Sequence, residues 1–305
     1  MTFLFLTIIC SSAIGLSFKY SEKNYMHRYT ITTANYVTAS AIGLILVIKN
    51  GLIIPEGSLS AEQFFEEFSR VVSLNSGVLS VTGSWIWSLL VGILNGVFFL
   101  FALIVFQKSI GENGIALSAM SSRLGVLIPM SISIILWNEL PNRFQVFGII
   151  LAICSIVLVN LNFNQGRSGN VKPSLIMLFI FAGGGIFCNK LFQKYALLQY
   201  KNLFLFFVFT TALLISLYFL RTKHEQANRN DILVGIVVGV FNLLSNYFMI
   251  LALNELKASV VFPITSAGAI IMMTLGGWLF FKEHLRPKDL VAVIMTLFAL
   301  VLINI

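Results

Sequence analysis

Charged side chains are scarce in this 305-residue chain. Asp, Glu, Lys and Arg supply 10% of it and hydrophobic residues 58%, where a soluble domain carries roughly 25% charge. That shortfall excludes a water-soluble fold. Acids are the scarcest group: all twelve Asp and Glu fall between apolar runs or at their ends, and none lies in the middle of one. A cation antiporter driven by protonation of an intramembrane carboxylate is therefore disfavoured. The three cysteines, Cys10, Cys154 and Cys188, are far apart and inside apolar runs, which excludes a disulfide framework or metal spacing and reads as buried free thiols. His27, His224 and His284 are scattered in connections, so the clustered acid, base and nucleophile of an intramembrane enzyme are missing. The chain is read as a non-enzyme with no cofactor and no metal. Gly183-Gly184-Gly185 lacks the following Lys and Ser/Thr of a phosphate loop and reads as a point of close helix approach. The net charge of +8 comes from residues spread singly between apolar runs. Lipid headgroups and water are its expected neighbours, and nucleic acid is not.

Apolar runs are what the sequence has in abundance. A hydrocarbon layer about 30 Å thick takes about 20 apolar residues per helix, because backbone N–H and C=O groups must pair within the segment there. Ten runs of suitable length lie at residues 2–18, 29–48, 85–106, 115–137, 144–161, 174–192, 203–220, 232–253, 259–281 and 290–305. The first lacks the basic flank and small-residue cleavage site of a signal peptide and is read as a span. Residues 163–173 are rich in Asn, Gly and Ser and read as a linker. It divides the chain into a first unit, 1–162, and a second, 174–305. The longest connection, 50–84, contains the capping-box pattern Ser60-Ala61-Glu62-Gln63 followed by Phe64, Phe65, Phe68, Val71 and Val72 on one stripe. It predicts a short interfacial helix over about residues 60–73.

The two units repeat one another. The fourth run ends in Trp137-Asn138-Glu139, turns at Pro141 and enters an uncharged closing span. The ninth ends in Phe281-Lys282-Glu283, turns at Pro287 and enters another. Lys19 and Lys23 follow the first span as Lys190 and Lys194 follow the sixth, and Asn95 of the third run has a counterpart in Asn242 of the eighth. The order of these matches argues for an internal duplication. Five spans is an odd number, so a second copy enters the membrane from the opposite side. The expected fold is an all-α integral membrane protein of about ten transmembrane helices, arranged as two inverted five-helix repeats, a geometry suited to alternating access around a midplane site.

The paired helix ends at Glu139 and Glu283, their turns, and the closing spans at 144–161 and 290–305 resemble the drug/metabolite transporter superfamily in its EamA-like branch. The resemblance implies a secondary transporter in the cytoplasmic membrane, multi-pass, as monomer or homodimer, exporting a small metabolite, amino acid or drug through a central cavity. It also implies cytoplasmic termini, whereas the Lys and Arg beside the connections are more numerous on the side that would then lie outside. The proton-coupled small multidrug resistance relatives carry a glutamate in their first helix, and nothing here matches it. A channel, or a membrane sensor that kept the fold without transport, is the alternative.

Candidate substrate-binding residues follow from polar groups deep in the runs. Arg123 lies well inside the fourth span, too deep to snorkel with ease, and its guanidinium fork suits a carboxylate or phosphate. Ser118, Ser121 and Ser122 surround it, and Thr265 and Ser266 follow Pro263 in the corresponding run. Hydroxyls also serve helix packing. Asn242 and Asn246 share a helix face through their i, i+4 spacing, and with Asn95 they are expected to line the cavity or to tie helices together. Lys19, Asn189 and Lys190 sit near span ends, where they are expected to reach the interface. Glu139 and Glu283 read as caps or turn anchors.

Overall fold

The computed structural model describes residues 2–49, 59–73, 77–137, 142–160, 172–222, 228–255, 258–283 and 287–303. They form twelve α-helices and one 3-10 turn, with no strand among the described residues. Seven of these helices are long and apolar enough to cross a membrane: α1 (Thr2–Lys23), α2 (Arg28–Lys49), α4 (Val81–Asn113), α8 (Pro173–Tyr195), α9 (Lys201–Thr222), α10 (Arg229–Glu255) and α11 (Ala258–Phe281). Shorter apolar helices are α5 (Ile115–Leu124), α6 (Leu127–Trp137), α7 (Arg143–Asn160) and α12 (Pro287–Ile303). The remaining helix, α3 (Ala61–Ser73), is amphipathic.

One expectation changes here. The run at 115–137 was expected as a single span, but it is broken into α5 and α6 at Gly125 and Val126. The cause is local. Pro129 has no N–H to offer the Gly125 carbonyl four residues back, and the chain tightens instead through three-residue bonds: Gly125 N to Ser122 O, Val126 N to Arg123 O and Ile128 N to Gly125 O. Gly125 also lies directly on Gly183 of α8, where a methyl group would come within 2.7 Å of the Gly183 nitrogen. The triple glycine thus serves a backbone contact. Among the cysteines, Cys10 and Cys188 are buried as expected, but Cys154 on α7 is exposed.

Contacts define two ends of the bundle. At the first end, α1, α4 and α11 finish while α2, α5 and α8 begin, tied by Lys19 to Glu283, Arg28 to Glu22, Gln107 to Ser21 and Asn113 to Ser174. At the second end, α4 and α9 begin while α8 finishes, tied by Leu79 N to Tyr195 O (2.8 Å), Leu197 N to Ser84 Oγ (3.0 Å) and Trp87 Nε1 to Leu191 O (3.2 Å). Helix α1 therefore runs toward the first end and α8 away from it. Helix α3 covers the second end. Its capping box is closed by Ser60 N donating to Gln63 Oε1 and Gln63 N to Ser60 Oγ. Its apolar stripe packs on Trp87 of α4 and Tyr195 of α8, and Glu67 accepts from Ser80, the N-cap of α4.

Apolar lipid gives helices no hydrophobic reason to associate, so small residues and hydrogen bonds hold them. Gly92 and Gly96 set α4 onto α9, where a methyl at Gly96 would lie 2.6 Å from Val208 O. Gly235 and Gly239 set α10 onto α2, where a methyl at Gly239 would lie 2.7 Å from Asn35 O. Helices α7 and α12 pack together through Gly148 against Ala299 O and a Thr296 to Ser155 hydroxyl bond of 3.0 Å.

Candidate functional site

The polar residues singled out in the sequence occupy three places. Arg123 lies in the last turn of α5, next to the break, and makes no hydrogen bond or ion pair among the described residues. The unpaired carbonyls at a helix C-terminus carry partial negative charge, which eases a cation there without neutralising it. Ser122 beside it is half-buried. Its neighbours are spoken for: Ser121 Oγ donates to Leu175 O (2.6 Å), and Ser118 Oγ is bonded to Ser109 Oγ and to Gly114 O (both 2.8 Å). Ser118 is fully buried at the α4 and α5 contact, so in this conformation it ties helices together and opens to no cavity.

The second place is an asparagine pair between α4 and α8. Asn95 Nδ2 donates to Asn189 Oδ1 (2.9 Å), and Asn95 Oδ1 is buried without a partner among the described residues. Asn189 was expected at the interface, but Asn95 holds it inside the bundle. Gly185 lies beside the pair, where a methyl would make ordinary van der Waals contact with Asn95 Oδ1 at 3.4 Å.

The third place joins α2 and α10. Asn242 Nδ2 donates to Asn35 Oδ1 (3.2 Å), and Asn246 Nδ2 donates to Asn242 O (2.8 Å) and Asn242 Oδ1 (3.3 Å). Asn35 Nδ2 and the Tyr36 hydroxyl, both on fully buried residues, have no partner among the described residues. A shallow crevice lined by Gly43, Asn202, Phe209, Asn246 and Tyr247 lies beside this group, with Asn246 the member they share. On α11, Thr265 is buried and Ser266 half-buried. Among the described residues, Arg123 and Ser122 lie at the end of α5, Asn95 on α4, Asn242 and Asn246 on α10, and Thr265 and Ser266 on α11.

Sequence reasoning missed Asn35, Tyr36 and Asn202. Asn35 carries the signal used for Asn95, an amide inside an apolar run, and was legible on that ground.

Glu283 is the residue whose role is clearest. It follows α11 after Lys282, whose φ of 53° is the left-handed turn that ends the helix. Its carboxylate accepts from Lys19 Nζ (2.9 Å) and from the Ile115 backbone N (3.1 and 3.2 Å). It therefore caps α5 from across the bundle, 168 residues away in sequence. Glu139 and residues 163–171 of the linker lie outside the described residues.

Comparison with known proteins bears on this geometry. Residues 174–305 match the EamA-like transporter family. An uncharacterised protein of Haemophilus influenzae is 24% identical over 303 residues, covering 97% of this chain and 95% of its own length. A crystal structure of another protein superposes over 99% of this chain and 94% of its own, at a TM-score of 0.55 and 13% identity, which relates the folds alone. The match over residues 174–305 to a transporter family accords with the seven helices among the described residues that are long and apolar enough to cross a membrane. Asn242, Asn246, Thr265, Ser266 and Glu283 lie in the EamA-like half. Arg123, Ser122 and Asn95 precede it.

Proposed function

We propose that this EamA-like protein is a secondary carrier, built of two inverted five-helix repeats, that exports a small organic metabolite across the cytoplasmic membrane by alternating access. Three features support the inverted arrangement. Helices α1 and α8 run in opposite directions. The α4 onto α9 crossing and the α10 onto α2 crossing also share one offset. Gly92 faces Phe204 O and Phe207 while Gly96 faces Val208 O and Thr211, and Gly235 faces Ile31 O and Ala34 while Gly239 faces Asn35 O and Thr38. In both, each glycine meets a carbonyl and the side chain three residues on. Under that register Asn242 falls one turn beyond the equivalent of Asn95, so the two amides are neighbours in role and not superposable.

The observation that carries alternating access is a difference between equivalent contacts. Helix α2 packs on α4, whereas α9, its counterpart, hardly touches α10 among the described residues. A carrier held closed at one end and parted at the other shows this asymmetry, and exchanging the two arrangements would reopen the first end. Arg123 and Ser122 at the α5 break, with Asn95, Asn242, Asn246, Thr265 and Ser266, are proposed to meet the substrate along that path.

The test is transport by the protein reconstituted in vesicles, using the ligand that gives the largest thermal stabilisation among amino acids, carboxylates, sugars and cationic drugs. Saturable uptake with counterflow is expected. Ion conductance without counterflow would establish a channel. Arg123→Ala is expected to abolish transport of a carboxylate-bearing ligand with insertion unchanged, and unaltered kinetics would remove Arg123 from the site.

A further inference from the structure

The helices fall into two groups by their packing. Helix α1 lies along α10 and α11, and α10 along α2, whereas α4 lies along α8 and α9, and α8 along α5 and α6. Helices α2 and α9 join the groups lengthwise, with Tyr36 against Phe209 and a Ser40 to Thr210 hydroxyl bond of 3.0 Å. Away from that seam, α1 meets α4 at the first end. Phe18 is edge-on to Phe106, Gln107 Nε2 donates to Ser21 Oγ (2.9 Å), and Glu22 lies on Gly111, where a methyl would come within 2.6 Å of its Oε2. Helix α11 meets α5 there through Glu283 and the Ile115 N–H. The second-end bonds made by Leu79, Leu197 and Trp87 all stay on the side of α4 and α8.

Two of these first-end contacts differ in kind. Glu283 and Lys19 both belong to the first group, one just after α11 and the other on α1, so their ion pair of 2.9 Å does not cross the joint. Parting the groups therefore costs the carboxylate only its bonds to Ile115 N, which water replaces while Lys19 stays in place. A carboxylate bonded to a helix-terminal N–H is a strong contact. The fit is close, since a β-carbon at Gly114 or at Gly277 would collide with the Glu283 oxygens. Gln107 is the opposite case. It is fully buried, and its Oε1 has no partner among the described residues. Ser21 Oγ donates to Phe18 O (2.8 Å), so it accepts from the Gln107 amide without serving its carbonyl. A buried carbonyl without a donor works against the closed arrangement, and opening would give it water.

We propose that Glu283 and Gln107 are gating residues: the Glu283 carboxylate, by capping α5 from the other group, latches the first end shut, and the half-satisfied Gln107 amide keeps the latch weak enough to release. This deepens the carrier reading by naming the contacts that part, and it rests on that reading for its link to transport. The two residues act in opposite directions. Weakening the carboxylate moves the population toward an open first end, whereas an apolar side chain of similar length at Gln107 moves it toward the closed one, because no carbonyl is then stranded on closing. Simple loosening of two structural contacts would move both the same way.

The experiment uses the full chain in lipid nanodiscs, with Cys10, Cys154 and Cys188 replaced by alanine and nitroxide labels on Tyr25→Cys, in the turn after α1, and Met177→Cys, on the exposed face of α8. Electron–electron resonance then reads the distance between the groups at the first end. Glu283→Gln is expected to raise the ratio of a longer to the shorter distance about tenfold, the worth of one charge-assisted hydrogen bond. Adding Gln107→Met is expected to bring that ratio back about fivefold. Thr296→Val, which breaks only the α7 to α12 hydroxyl bond, is expected to change nothing. Gel filtration confirms that each variant is folded. Gln107→Met alone strands no carbonyl and keeps the test sound if Glu283→Gln does not fold, with a fivefold lower ratio expected. An unchanged distance in Glu283→Gln, the same rise in Thr296→Val, or a rise with Gln107→Met would overturn the gate. The distances read the gate alone, so their failure leaves the carrier reading to counterflow in vesicles, and a failure of counterflow leaves the distances intact.

Discussion

At the first end of the bundle, helices are joined by Lys19, Glu283 and the Ile115 N–H, with Arg28 and Glu22 beside them. At the second end they are joined by rings, Phe68 stacked on Trp87 at 4.6 Å with Tyr195 edge-on to both, under the lid of α3. The two solutions fail differently. A partly buried carboxylate that serves two donors strands both when it is lost, whereas an aromatic cluster loses area in proportion to what is removed. An ionic joint also exchanges its partners for water at little net cost, and is suited to an end that opens. A ring cluster with α3 across it suits an end whose α4 and α8 move as one body.

The largest effect that would sharpen this contrast is expected from Glu283→Ala. The side chains of Glu283 and Lys19 are only 16% and 19% exposed, so removing the acid leaves a cation and a helix N–H without partners. A loss of about 3 kcal/mol is expected, read as a fall in thermal-inactivation midpoint in detergent. Phe68→Ala comes next, at about 2 kcal/mol for a half-buried ring, and its effect should not change between low and high salt. Lys19→Met is expected to cost least, about 1 kcal/mol, because Glu283 keeps its bond to Ile115 N. Equal losses for Lys19→Met and Glu283→Ala would show that the carboxylate does not cap α5, and a salt-dependent Phe68→Ala would erase the distinction between the ends.

Much of the fold was legible in the sequence because apolar length and capping are local signals. The start of α3 was readable from Ser60 and Gln63, and the long apolar runs from hydropathy. The break at Gly125 was readable in principle from Pro129, yet a proline in the first turn of a helix is also a common start signal, and the contact with Gly183 that fixes the break is tertiary. The same limit hid the partners of the asparagines. Spacing put Asn242 and Asn246 on one face, but nothing local joins Asn242 to Asn35 across 207 positions, or lifts Asn189 from the interface to Asn95. Glu283 was readable as a turn anchor, and the helix it caps was not. The glycine pairs 92/96 and 235/239 were visible as small residues four apart, and their shared offset on α9 and α2 emerged only from packing.

Opposite insertion of the two halves is the claim on which the carrier reading stands, and the equivalent turns after α1 and α8 test it most directly. Tyr25 and Leu198 are exposed there, at 94% and 64%. In a chain whose Cys10, Cys154 and Cys188 are replaced by alanine, Tyr25→Cys and Leu198→Cys are each treated with a membrane-impermeant maleimide on intact cells. The account predicts that one of the two reacts and the other reacts only after the membrane is opened. Reaction of both from the same side would contradict it.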